Sequence, residues 1–231
     1  MSVERISLPI DHPQLEAVTA ALHPGPARRP GRPVLLTHGA GGDLDGEGLV
    51  ALAEVLAGLG HPVVRVNLPH RELGRRGAPR VDRSVGAFRQ IVAAASDHLA
   101  ERRPWILGGK SYGGRVASMA VADGLEAAGL LFYGYPLHPP GKPDQLRVAH
   151  WPAIGVRCLF LQGDRDTFCD LDLLDENVTK LPRRATIHVV AGGDHSLDVA
   201  AKAAPDGVRR PAREVIADCH DVIARWIATL E

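Results

Sequence analysis

The sequence predicts an α/β protein: a mostly parallel, doubly wound sheet with helices on both faces. Three observations carry this. Short apolar runs alternate with segments of helical periodicity along most of the chain. The runs are nearly continuous in Val, Leu and Ile, as strands buried on both faces must be. Glycine-rich turns follow several of them, where a strand must hand over sharply to a helix.

The elements follow in order. Residues 3–10 alternate apolar and polar, and residues 15–21 form a second short run, so the two predict an antiparallel edge pair. Residues 23–33, HPGPARRPGRP, read as a Pro/Gly/Arg loop. A strand over 33–37 ends in His38-Gly39-Ala40-Gly41-Gly42-Asp43. Leu49, Leu52, Ala53, Leu56 and Leu59 then keep helical spacing until Gly60. Residues 63–66 are a strand, and Val85, Phe88, Ile91, Val92, Ala95 and Leu99 fit one helix face. A short strand over 105–107 leads through a glycine-rich turn into a helix reaching Val121. Strands are predicted over 130–135, 156–161 and 185–190. The last helix is predicted to begin at Pro211 and to carry an apolar stripe from Val215 through Trp226 to Leu230.

Composition narrows the function classes. The chain has 231 residues, 45% apolar, with 27 basic and 27 acidic side chains. A formal net charge of zero argues against a nucleic-acid partner, because such domains are usually clearly basic. Only 4% of residues are aromatic, so the core must be built from aliphatic side chains. The three cysteines, Cys158, Cys169 and Cys219, have neither disulfide-framework nor metal-ligand spacing. Residues 1–13 lack the apolar stretch of a signal peptide, and no run approaches a membrane span. A cytoplasmic location with no membrane partner is expected. No repeat or linker divides the chain, so residues 1–231 are expected to form one domain. The residues do not specify an oligomeric state.

The chemistry concentrates after the predicted strands, where open α/β sheets place their sites. Gly109-Lys110-Ser111-Tyr112-Gly113 matches G-x-S-x-G between a strand and a helix. Such a turn is too tight for side chains at its flanks, and it lifts the serine hydroxyl above the sheet edge. A phosphate-binding loop is excluded, since the glycine it needs is Pro104 here. A serine needs a base, and the base needs an acid to orient it. The base is assigned to His195, in Gly192-Gly193-Asp194-His195-Ser196 after the 185–190 strand. Asp164 and Asp166 both follow the 156–161 strand and either can be the acid, the other capping the turn; Asp170, Asp172 and Asp194 are weaker candidates. Two backbone N–H groups must face the developing oxyanion. One is expected from Tyr112 and the other from Ala40 or Gly41.

Together, His38-Gly39, the GKSYG turn, the GDRD loop and the GGDHS loop resemble a small serine α/β-hydrolase. The nearest likeness is to the uncapped dienelactone-hydrolase-like group. Within it, GKSYGGR with GGDHSL resembles the testis-expressed and KANL-type hydrolase-like proteins, and the likeness covers roughly residues 30–230. It implies an α/β-hydrolase fold and a triad of Ser111, Asp166 and His195. Asp166 is preferred to Asp164 because the family places its acid three residues after the strand-end glycine, here Gly163. Dienelactone hydrolase carries cysteine where Ser111 stands, so its substrate is not implied.

Only about 20 residues separate the 130–135 strand from the next, too few for a helical lid. An open or loop-shielded site is expected, with Tyr133, Tyr135, Leu137 and Trp151 as walls and with Gly41 and Tyr135 among the substrate contacts. Residues 70–83 hold Arg71, Arg75, Arg76, Arg80 and Arg83. Arg75 and Arg76 are expected to bind an anionic acyl or phosphate-bearing group, because guanidinium forks suit such oxygens. The expected activity is cleavage of a small-molecule ester, thioester or amide without metal or cofactor. The rival readings are a catalytically silent binding or scaffolding module, and an acyltransferase or perhydrolase using the same residues.

Overall fold

The computed structural model describes residues 2–26, 30–204 and 206–230. Residues 27–29 of the Pro/Gly/Arg loop lie outside the described residues. Eight strands form one sheet: β1 (Glu4–His12), β2 (Leu15–His23), β3 (Val34–Thr37), β4 (Val63–Val66), β5 (Ile106–Lys110), β6 (Gly129–Tyr133), β7 (Arg157–Gly163) and β8 (Thr186–Val190). Their order across the sheet is β1-β2-β4-β3-β5-β6-β7-β8. The first two pairings, β1 with β2 and β2 with β4, are antiparallel. Every later pairing is parallel.

Burial explains the sequence pattern. At the antiparallel edge, β1 alternates buried Ile6, Leu8 and Ile10 with exposed neighbours. Every residue of β3, β4 and β6 is buried, because helices cover both faces there. Helices α1 (Glu47–Gly58), α6 (Ala212–Asp218) and α7 (His220–Ile227) pack against one face through Leu52, Leu56, Ile216, Ile223 and Trp226. Helices α3 (Asp82–His98), α4 (Tyr112–Ala122) and α5 (Leu171–Val178) pack against the other through Phe88, Ile91, Val116, Ala120 and Leu174. The sheet is mostly parallel, and among the described residues no large cap stands over it.

Several boundaries differ from the sequence reading, and β5 runs three residues beyond its predicted end at Leu107, to Lys110. The terminal helix is two helices, which meet at Cys219, and Pro211 caps the first rather than opening it. The Cys219 N–H bonds Ile216 O three residues back, a tightened turn that interrupts the helical ladder. β6 stops at Tyr133 because Gly134 turns the chain with φ +61°. β7 runs two residues beyond its predicted end and so takes in Gln162 and Gly163. Within residues 70–83, a single helical turn, α2 (Pro69–Glu72), replaces what the sequence shows only as loop.

This topology fixes where a site can form. From β3 the chain crosses to β4 on one side, whereas β5, β6, β7 and β8 succeed one another on the other side. The order therefore reverses between β3 and β5, and the loops leaving those adjacent strands open a crevice between them. Ser111 follows β5, and His38–Gly42 follow β3.

Candidate active site

Ser111 sits between β5 and α4 with φ +50° and ψ −111°, a backbone region that non-glycine residues rarely adopt. The packing around it holds that strain. The Ser111 N–H bonds Tyr133 O at 3.0 Å, and the Arg115 N–H bonds Ser111 O at 3.1 Å. Gly109, two residues earlier, has φ +140° and presses against β3. The hydroxyl is thereby presented at the crevice rather than buried in the sheet.

His195 Nε2 lies 2.8 Å from Ser111 Oγ, and His195 Nδ1 lies 2.8 Å from Asp166 Oδ2. The Asp166 side chain is 0% exposed and the His195 side chain 22%, so the acid is sealed while the imidazole meets the cavity. Asp166 is held on both oxygens: Oδ1 accepts the Phe168 N–H at 2.8 Å, and Oδ2 also accepts Gln162 Nε2 at 2.6 Å. Gln162 is itself fixed, since its Oε1 accepts the Tyr135 N–H at 2.9 Å. A carboxylate only accepts, so the proton belongs on His195 Nδ1 and Nε2 is left free to accept from serine. The Phe168 ring tilts against the imidazole with centroids 4.3 Å apart. Gly134 leaves room for the His195 backbone, because a Cβ there would stand 2.7 Å from His195 O.

The loop carrying His195 is tied down from below. The buried Tyr133 hydroxyl donates to Ser196 O at 2.6 Å, and Lys110 Nζ donates to Ser196 Oγ at 2.6 Å. Burial pushes the Tyr133 phenol well above its ordinary pKa, so it stays a donor. Burial also lowers the Lys110 pKa, an effect opposed by the charges of Asp194, Asp198 and Asp166. Asp164 takes a different part from Asp166. It is exposed, and its Oδ1 accepts the Gly192 N–H at 2.7 Å, clipping the β7 loop to the β8 loop.

Tyr112 is the first residue of α4, so its N–H has no carbonyl of its own helix to bond. Ala40 and Gly41 lie opposite in the cavity wall. Two histidines brace that loop. His38 Nε2 accepts the Leu68 N–H at 3.0 Å, which leaves Nδ1 to donate to Gly39 O at 2.7 Å. His70 Nε2 donates to Ala40 O at 3.2 Å. Burial lowers the His38 pKa from 6.5 to about 4. Between those values the unfolded chain binds a proton that the fold excludes, so stability rises with pH across the window. It is lost as pH falls from about 6.5 towards about 4, by about 3 kcal/mol for His38. His23, His70, His150 and His188 are shifted the same way by burial. The thermal midpoint is therefore expected to fall across this window, and to fall less steeply in His38→Gln, when both are measured by calorimetry at several pH values.

Ser111, Tyr112, His195, Ala40 and Gly41 all line one cavity of about 520 Å³. Three expected substrate contacts do not. Arg75 is exposed and donates to Gln14 Oε1 at 2.9 Å, and Arg76 is exposed on the same loop, away from the cavity. Tyr135 is fully buried among Trp151, Phe132 and Phe160, because the chain turns inward after Gly134. Leu137 and Trp151 are likewise core residues, and of the four expected walls only Tyr133 borders the cavity. The cations that do line it are Lys110, Arg115 and Arg147. Arg115 had a signal in the sequence, four residues after Ser111 and hence on the same helix face. Arg147 had none, since it lies in an irregular Pro-rich stretch. Among the described residues, no group of three or more His, Cys, Asp and Glu side chains is placed to hold a metal ion, and no helix is long and apolar enough to cross a membrane.

Fold and crevice together define an α/β-hydrolase. A family model described as an alpha/beta hydrolase domain matches residues 30–228, and the chain belongs to that family. Solved structures agree on the fold. An alpha-beta serine hydrolase homologue from Coxiella burnetii superposes with a TM-score of 0.66 at 15% identity, covering 96% of each chain. A serine hydrolase without a lid from Xanthomonas campestris gives 0.67 at 20% identity over 97% of this chain and 94% of that one. A dienelactone hydrolase from Anabaena variabilis gives 0.67 at 16% identity over 98% of both.

Proposed function

We propose that this α/β-hydrolase is a serine hydrolase that cleaves a small-molecule ester, thioester or amide through an acyl-enzyme. The observation that carries the reading is the unbroken chain Ser111 Oγ···His195 Nε2 and His195 Nδ1···Asp166 Oδ2, both 2.8 Å, opening onto the cavity. Ser111 Oγ attacks the carbonyl carbon while Nε2 takes its proton. Asp166 orients the ring and stabilises the imidazolium. The Tyr112 and Ala40 N–H groups receive the oxyanion, and the bracing of Ala40 by His70 keeps that donor in place before substrate arrives. The imidazolium then returns the proton to the leaving oxygen, sulfur or nitrogen. Water, activated by the same imidazole, hydrolyses the acyl-serine and regenerates the hydroxyl.

A fluorophosphonate probe tests this directly, because it phosphonylates only a serine with an engaged base. The wild-type protein is expected to label stoichiometrically and Ser111→Ala not at all. Equal, weak labelling of both would point to a fold used for binding alone.

A further inference from the structure

The cavity wall opposite the β3 loop carries two guanidinium groups that, among the described residues, no carboxylate neutralises. Arg115 stands one helical turn beyond Ser111 and lines the cavity, and its guanidinium also lies close to the buried Tyr135 hydroxyl. Among the described residues, its buried Nε has no hydrogen-bond partner. Arg147 reaches the same cavity from the stretch between β6 and β7. Burial and the nearby Arg115 charge both pull the Arg147 pKa below its ordinary value. Among the described residues, neither arginine forms an ion pair with a carboxylate. Of the acids on the cavity rim, Asp43 is already bound to Arg71 at 2.9 Å, and Glu47 projects from the start of α1.

Arg147 is also held in place, as a solvated surface arginine would not be. Its N–H bonds Leu137 O at 2.8 Å, and its carbonyl accepts the Tyr135 hydroxyl at 3.0 Å. That hydroxyl in turn accepts the Trp151 indole N–H at 3.1 Å. Arg147 Nη1 donates to Pro136 O at 3.3 Å, which aligns one edge of the fork and leaves the other edge for a ligand. So Tyr135 and Trp151, which do not line the cavity, position a residue that does. Two like charges kept close together and half out of water are costly unless something anionic arrives.

We propose that Arg115 and Arg147 form an anion subsite, and that the substrate is a small ester, thioester or amide bearing an anionic oxygen group, a carboxylate or a phosphate. This rests on the hydrolase reading and adds the substrate class. Guanidinium forks suit either group, because both present paired oxygens. A cavity of about 520 Å³ suits a compact acyl compound.

The test compares esters with one leaving group: mono-4-nitrophenyl succinate, 4-nitrophenyl 3-phosphonopropionate and the neutral methyl 4-nitrophenyl succinate. For the wild type, kcat/KM for at least one charged ester is expected to exceed that for the neutral one by about tenfold or more. The better charged arm identifies the group. In Arg115→Gln and in Arg147→Gln that ratio is expected to collapse towards one. Calorimetric titration of Ser111→Ala with mono-4-nitrophenyl succinate gives a second readout that needs no turnover. Binding should weaken about tenfold when Arg147→Gln is added. A wild-type ratio near one for both charged esters overturns the proposal without any variant, as does a preference unchanged in both glutamine variants. Either failure leaves fluorophosphonate labelling of Ser111 intact. Loss of that labelling with arginine-dependent binding preserved would instead remove the hydrolase reading and keep the anion site.

Discussion

Asp166→Asn is expected to lower kcat/KM for any activated ester by about four orders of magnitude while the protein stays folded. The reason is donor and acceptor counting. Asp166 Oδ2 accepts from both Gln162 Nε2 and His195 Nδ1, and Oδ1 accepts from the Phe168 N–H. An asparagine that keeps its carbonyl towards Phe168 must point an NH₂ group at two other donors. Gln162 cannot turn its amide round to help, because its Oε1 is committed to the Tyr135 N–H. The cheapest escape is for His195 to move its proton to Nε2 and accept on Nδ1. An Nε2–H cannot take the serine proton, so the nucleophile is lost although nothing has moved. Asp164→Asn is the control. Asp164 is exposed and receives only the Gly192 N–H at 2.7 Å, a bond that an asparagine oxygen also accepts, so turnover should stay within about threefold. Stopped-flow kinetics with a 4-nitrophenyl ester separates the two. Equal losses in both variants would contradict the assignment of Asp166.

Gly109→Ala is expected to be the most damaging small substitution for stability, costing about 4 kcal/mol or more. A Cβ at this position would stand 1.9 Å from Thr37 O and 2.7 Å from Thr37 N, both backbone atoms of the paired strand β3. No rotamer change relieves a clash with backbone. At φ +140° an alanine is strained even without neighbours. The pairing of β3 with β5 would have to open, and with it the crevice between Ser111 and Ala40. Whole domains are stable by only about 5–15 kcal/mol, so this variant should have a sharply lowered urea midpoint or fail to fold. Gly41→Ala tests the argument from the other side. Nothing stands within 4 Å of a Cβ there, and its midpoint should stay close to that of the wild type. A Gly109→Ala midpoint equal to that of Gly41→Ala would show that the turn is looser than the geometry requires.

The legible part of this protein was what depends on neighbours in the chain. Burial on two faces writes itself as continuous apolar runs, so the order of strands and helices could be read. A strand-to-helix turn that admits no Cβ writes itself as Gly109 and Gly113 around Ser111. His195 could be named because it stands in a strand-end loop, in chain order behind the serine turn and an acidic strand end. The two aspartates after β7 could not be told apart by spacing, and it was the family likeness that favoured Asp166. What separates them is burial: one carboxylate is sealed beneath the imidazole and the other clips two loops at the surface.

Other features depend on contacts between residues far apart in sequence, and those only the tertiary structure decided. Five arginines in residues 70–83 suggested an anionic subsite, yet Arg75 turns to Gln14 on the edge hairpin and Arg71 to Asp43. Local charge density says nothing about which way a loop faces. The cavity instead draws its cations from α4 and from the irregular stretch after β6, residues 32 positions apart that meet only because β5 and β6 are paired. Tyr135 shows the same division. Its position beside the site was readable from the end of β6, but the positive φ of Gly134 sends its ring into the core, where it supports Arg147 from behind. Periodicity and turn chemistry act within a few residues and survive in the sequence. Charge pairing, loop direction and cavity lining arise where distant segments meet, and only the packed sheet and its crossing loops set them.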